Sequence, residues 1–296
     1  MVTSIYISNE AIQVVLGEKR GNKIKIAAYA SVPVSPNTVI NGVVTDEGAL
    51  IDAMTRLRGK LPGVSMKKVR IVIGSSQIYV RQASIPLMPR KKMMEWVRGE
   101  FHDVESGEEL LYDYTVLARG EGRAVTALLC AVKRELVAGY VELFDAMGIG
   151  IACIDTLQNS QIKLVRMLPQ TRDRTFISLS FDGTSLDTAL YVRGVFRISN
   201  RARLLEKRGT PESLNEIEQL VSSMIQFNQS DRSGATVTHI FCAGHHGDEE
   251  ELCRRFPLTF GVEAQPFWDS DGMILGADAG FVLSDYAYTV GNLIRM

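Results

Sequence analysis

The sequence predicts an α/β chain of two related halves, with a small α+β subdomain inserted into the first, and three observations carry that prediction. Near the start, apolar Ile5 and Ile7 and then Ile12, Val14, Val15 and Leu16 flank polar Ser8-Asn9-Glu10, which reads as two strands joined by a tight turn. A second turn over 17–22 leads to the alternating run Lys23-Ile24-Lys25-Ile26-Ala27-Ala28-Tyr29-Ala30, a third strand. The same order restarts with Thr175 to Phe181, a turn at Asp182-Gly183-Thr184-Ser185, Leu186 to Val192, a turn at Arg193-Gly194, and Val195 to Ile198. Between the repeats, residues 84–147 follow an order of elements that matches neither half.

The remaining elements follow in turn. Residues 32–46 are extended and punctuated by Pro33, Pro36 and Gly42. Asp46 reads as the N-cap of a helix from Glu47 to Arg58 whose Leu50, Ile51, Met54 and Leu57 share one apolar face. A buried strand over Val69 to Gly74 leads to Ile78 to Pro86. A helix from Arg90 to Phe101, a strand over Tyr112 to Leu117, a strand over Arg123 to Lys133 and a helix from Arg134 to Met147 complete the insertion. Gly148 to Asp155 returns as a strand, and a helix from Thr156 to Met167 follows. The Pro-opened polar stretch 169–174 suits an interdomain linker. Beyond Asn200 come Arg201 to Arg208, a long helix from Pro211 to Asn228, a strand over Val237 to Cys242, an acidic first helical turn at Glu249-Glu250-Glu251, a strand over Val262 to Trp268, and a helix from Leu275 to Leu283. The expected division is 1–83 plus 148–170, the insertion 84–147, a shortened second half 171–284, and a tail 285–296.

With 296 residues, 46% hydrophobic and 23% charged, the chain has ordinary globular composition and length for about two domains. A net charge of -1 leaves no basic footprint for nucleic acid. Cys130, Cys153, Cys242 and Cys253 lack disulfide-scaffold spacing, which fits a reducing compartment. Neither a signal-type h-region nor a membrane-length apolar run is present, so the expected location is cytoplasmic.

These elements resemble the type IV pilus assembly protein PilM family, relatives of the actin-fold division protein FtsA. The family's opening runs Gly-Ile-Asp-Ile-Gly-Ser-Ser-Ser-Val-Lys. Its Asp falls on Tyr6, its Gly on Ser8, its following Ser positions on Asn9, Glu10 and Ala11, and its Lys on Gln13. Ile-Pro-Leu-Met-Pro at 85–89, the helix after it and Tyr112-Asp113-Tyr114 match the family's apolar-Leu-Pro step, helix and Asp-Tyr strand. The resemblance covers nearly the whole chain and implies an actin-like fold, a duplicated ribonuclease H-like pair of domains with an inserted subdomain.

The resemblance also shows where the chemistry departs. A phosphate cradle needs close-approaching backbone amides and no opposing charge, yet Glu10 sits in the turn and Tyr6 replaces the carboxylate that would order Mg²⁺. In the second half, Ser178, Leu179 and Ser180 stand where the family has Asp-Ile-Gly, with Asp182-Gly183 either a hairpin turn or a register-shifted substitute. Ala243-Gly244-His245-His246-Gly247-Asp248 replaces the family's Ser-Gly-Gly-Gly, and two imidazoles take the purine's space. The loops at Ser8, Asn9, Glu10, Gln13, Ser178, Ser180, Gly244 and His245 are thus expected to be degenerate, with no cofactor bound. Cys242, His245, His246, Asp248 and Cys253 lie close in sequence but lack zinc-finger ligand pairs, so no metal is expected.

No nucleophile elbow, Walker loop or catalytic His set is present, so the chain is expected not to be an enzyme. The resemblance implies instead a scaffold or adaptor of a type IV pilus or related secretion machine. It would dock the short cytoplasmic tail of a PilN-like inner-membrane protein, alongside other machine components, and reach the membrane only through such partners. In the family that tail lies between the first domain and the insertion, and Ile85, Leu87, Met88, Met93, Met94, Trp96 and Val97 are the lining residues expected here. The alternative is a nucleotide-gated switch in which the three loops still bind ATP and Mg²⁺. A membrane-bound division filament would need an amphipathic C-terminal helix, and Ser284 to Met296 offers one basic residue, Arg295.

Overall fold

A computed structural model describes the chain except residues 105, 106, 108, 121–123, 231–233, 245–248 and 296. In chain order the first half supplies β1 (Val2–Ile7), β2 (Ala11–Arg20), β3 (Lys23–Pro33), the short pair β4 (Val39–Ile40) and β5 (Val43–Val44), α1 (Glu47–Lys60) and β6 (Lys68–Ile73). The insertion holds β7 (Ile78–Pro86), α2 (Arg90–Glu100), β8 (Leu110–Arg119) and β9 (Ala124–Lys133), then α3 (Arg134–Ala146) leads back. Next come β10 (Gly150–Thr156), α4 (Leu157–Val165), β11 (Phe176–Asp182), β12 (Ser185–Val192), β13 (Val195–Arg203) and α5 (Pro211–Ser230). The chain finishes with β14 (His239–Ala243), α6 (Glu249–Phe260), β15 (Glu263–Pro266), β16 (Ile274–Leu275) and α7 (Ala287–Leu293).

The duplication is explicit in the sheets. One runs β10-β6-β1-β2-β3-β16 and the other β15-β14-β11-β12-β13, so each half has three antiparallel strands followed by two parallel ones in the same order. Two-residue alternation decides which face each side chain serves. Ile5 and Ile7 point to a core shared with Leu50 and Met54 of α1 and Phe144 of α3, while Tyr6 points to the core between the halves. Likewise Ile177, Leu179 and Phe181 pack beneath α5 and α6, and Phe176 faces the centre. The helix start read at Asp46 holds, since its carboxylate accepts from the Ala49 N–H at 2.9 Å.

Four expectations are corrected. The boundary at residue 84 falls inside β7, which pairs with β9 from Ile78 to Pro86, so the inserted sheet begins at Ile78. The linker stretch 169–174 is exposed at Arg172 and Asp173 but packed at its start. Gln170 and Thr171 are buried, the Thr171 hydroxyl donates to Val165 O at 2.7 Å, and the Gln170 amide donates to Trp268 O at 2.8 Å. Residues 275–283 form no helix, because Ile274–Leu275 pairs with β3 of the first sheet and a left-handed Gly276 then turns the chain against Ile26 O. Lastly, the tail is core: every residue of α7 is buried, between α4 and the first sheet. Gly291 permits that approach, since a Cβ there would lie 2.0 Å from Ser160 O. Among the described residues no helix is long and apolar enough to cross a membrane.

Candidate functional site

Two places bear on the expected functions, the cleft between the halves and a groove beside the insertion. The cleft is where the β1–β2 and β11–β12 turns meet. A phosphate there would need free turn amides, and in the β1–β2 turn this chain occupies those of residues 9–11 with its own oxygens. The Ser8 hydroxyl oxygen accepts from the Glu10 N–H at 3.2 Å and the Ala11 N–H at 2.9 Å. The Asn9 N–H donates to Asp182 Oδ1 at 2.6 Å, and the Asn9 side-chain amide donates to Asp182 O at 3.2 Å. The turns touch: a Cβ on Gly183 would lie 3.4 Å from Glu10 Cγ and 3.5 Å from Asn9 Cβ.

Behind this contact a cation is already in place. Arg201, on β13, donates to Asp182 at 3.1 Å and to Asp187, its direct cross-strand partner on β12. All three side chains are at least nine-tenths buried. Burial pushes the Asp182 carboxyl up and that of Asp187 up to about 6, with Arg201 opposing both rises. Gln158 of α4 donates to Asp187 at 3.4 Å, and Gln161 donates to the Ser180 hydroxyl at 2.9 Å, so α4 is tied into the cluster. The Tyr6 ring lies edge-on to Tyr288 of α7, 4.9 Å between centroids, and burial holds its phenol well above the ordinary range.

A cavity of about 440 Å³ adjoins the cluster, lined by Tyr6, Ser8, Glu10, Gln13, Asp182, Gly244 and Asp285 among others. Its described lining has three carboxylates and no Lys, Arg or His, the wrong sign for a triphosphate. Ser178 and Ser180 are buried, and Gly244 packs so that a Cβ would meet Phe181 O at 2.9 Å. His245, named with these loops, lies outside the described residues, as do His246 and Asp248. Cys242 is buried beneath α6 and shares a core with Cys253. Among the described residues no group of three His, Cys, Asp or Glu side chains is placed to hold a metal ion.

The groove lies between β8 and β10, each an edge strand of its sheet with no further strand paired to it among the described residues. It encloses about 470 Å³. Leu111 to Thr115 of β8 form one wall, Ile151 and Cys153 to Thr156 of β10 the other, Leu128, Cys130 and Val132 the floor, and Val137 and Val141 of α3 one end. Val141 is 47% exposed, a large apolar side chain left open to solvent. Unsatisfied strand edges and apolar walls facing each other are what an extended peptide fills, by main-chain hydrogen bonds and side-chain pockets.

The residues expected to line such a groove are elsewhere. Ile85, Met93 and Val97 are buried in the insertion's own core with Phe101 and Leu129, and Met88 packs against that core. Leu87 and Trp96 are exposed, Met94 is half-buried, and none of the seven lines the groove. Arg201, Asp187 and the groove walls escaped the sequence reading.

A family model described as type IV pilus assembly protein PilM matches residues 4–192. Among solved structures, the PilM-PilN type IV pilus biogenesis complex superposes with a TM-score of 0.80 at 18% identity, covering 99% of this chain and 97% of that one. A Bacteroides thetaiotaomicron protein with an actin-like ATPase fold and unknown function gives 0.54 at 11% identity, covering 90% of each chain. The ethanolamine utilization protein EutJ from Carboxydothermus hydrogenoformans gives 0.51 at 9% identity, covering 99% and 88%. These likenesses establish the actin-like fold. A comparison with the curated proteins returned no match.

Proposed function

The chain belongs to the type IV pilus assembly protein PilM family, and we propose that within it this protein is a docking scaffold that holds the cytoplasmic tail of a PilN-like inner-membrane protein as an added strand. The observation that carries the reading is the groove bounded by two open strand edges, β8 and β10, with exposed Val141 at its end. Its position between the first half and the insertion fits the tail site that the family resemblance implies, and the PilM of the solved PilM-PilN complex shares this fold. Such a protein works in the cytoplasm and meets the inner membrane through its partner.

We further propose that it neither hydrolyses nor requires ATP. Supporting this are the turn amides taken by Ser8 and Asp182, and Arg201 seated between the two carboxylates. The acidic lining of the adjoining cavity argues against a nucleotide-gated switch.

The test is titration of a synthetic peptide, the cytoplasmic N-terminus of the PilN-like protein from the same organism, into the wild type and Val141→Arg. Residue 141 is exposed on α3, so the arginine fills the groove mouth without disturbing the core. Saturable binding that the variant loses supports the proposal. No binding to the wild type, or equal binding to both, rejects it.

A further inference from the structure

At the opposite end of β2 from the Ser8 turn, beside the β2–β3 turn, lies a cavity of about 780 Å³ that neither the cleft nor the groove includes. It forms where the β2–β3 hairpin, the end of β8, the last turn of α4 and residues 270–273 converge. Its charge is one-sided. Lys19, Lys23, Arg119, Arg172 and Arg295 line it, and their side chains make no hydrogen bond or ion pair with a described residue. Lys163 and Arg166 of α4 line it too, Lys163 already paired with Asp155. Lys163 and Arg166 thus have interactions of their own, and against the other five cations the described lining supplies one carboxylate, Asp271.

A chain with net charge -1 has no surplus of cations that would place seven in one concavity by default. Like charges facing one cavity repel, and the arrangement is relieved by an anion. Four of the seven are arginines, whose planar forks match phosphate oxygens two at a time. The floor is apolar, from Val116, Leu117, Met167, Met273 and Ile294, so the occupant has a hydrophobic or aromatic body beside its charge. The volume falls within the range of small-ligand sites. From these features we infer a binding site for a soluble, multiply phosphorylated small molecule of nucleotide size. The inference does not rest on the docking proposal, since it uses a different cavity.

Tripolyphosphate and ATP without Mg²⁺ serve as probes, by calorimetric titration at low and high salt. The wild type is expected to bind both, more weakly as salt rises, and the variant Lys23→Glu/Arg172→Glu to bind roughly tenfold or more weakly. Both substituted side chains are exposed, so the fold should survive, which a melt of the ligand-free variant verifies. Independently of any variant, amide exchange of the wild type with tripolyphosphate should slow at 19–23 and 116–119. Binding of neither probe overturns the inference, as does equal binding by the variant, protection confined to 8–11 and 182–185, or binding only to phosphatidylglycerol vesicles.

Discussion

Replacing Arg201 by methionine tests how the cleft is held shut. The guanidinium lies between Asp182 and Asp187, with side-chain exposures of 9%, 2% and 5% for Arg201, Asp182 and Asp187, so little solvent can replace it. Removing one partner of such a buried cluster costs about 3–5 kcal/mol. For a chain of this size that lowers the melting temperature on the order of 10 °C. The loss should also depend on pH. Burial raises the Asp187 pKa from the ordinary 3.8 to about 6, so the folded state holds this proton more tightly than the unfolded state. Its favourable contribution is fully present below about pH 4 and is lost as pH rises through 6. Without Arg201 opposing it, the carboxyl rises further and the loss extends to higher pH. Thermal melts by circular dichroism should therefore show Arg201→Met far below wild type at pH 8 and closer to it at pH 5. The triple variant Asp182→Asn/Asp187→Asn/Arg201→Met should recover much of the difference, since no charge is then left buried. A single variant melting with the wild type at pH 8, or a gap that does not shrink at pH 5, refutes the reasoning.

Three further outcomes follow from the same contacts. Gly291→Ala places a Cβ 2.0 Å from Ser160 O, and the forced separation of α7 from α4 should cost about 1–3 kcal/mol in urea unfolding. Tyr140→Phe leaves Gly42 O without the hydroxyl that donates to it at 2.8 Å, a loss of about 1 kcal/mol by the same assay. Mg-ATP should leave amide exchange of residues 8–11 and 182–185 unchanged, and slowed exchange there would return the nucleotide switch to consideration.

What the sequence displayed was governed by local rules. Strand alternation at Ile5, Tyr6 and Ile7, its repeat after Thr175, and the Asp46 cap were legible because period and capping act over a few residues. Arg201 was not, for a reason of register. The Arg193-Gly194 turn, with φ of 51° and 76°, sets Val192 opposite Val195, and uninterrupted pairing would put Asn200 across from Asp187. A shift between Leu190 and Tyr191 moves the ladder by one residue and brings Arg201 there instead. Helix α7 was equally hidden. It is buried on all sides, and its polar Thr289 and Asn292 are buried with the rest, so Ala287 to Leu293 carry no solvent-facing stripe to mark a helix. The residues expected to line a groove do not line the one between β8 and β10, because Met93 and Val97 face inward from α2 and the open surface there belongs to strand edges. Main-chain groups line such edges, and the sequence does not announce which strand is left unpaired.

The measurement that bears most directly on the docking account is hydrogen exchange of the full chain with and without the PilN-like N-terminal peptide. Strand addition predicts slowed exchange at the backbone amides of 111–115 and 151–156, the facing edges of β8 and β10. Saturating peptide that leaves both edges unprotected contradicts it.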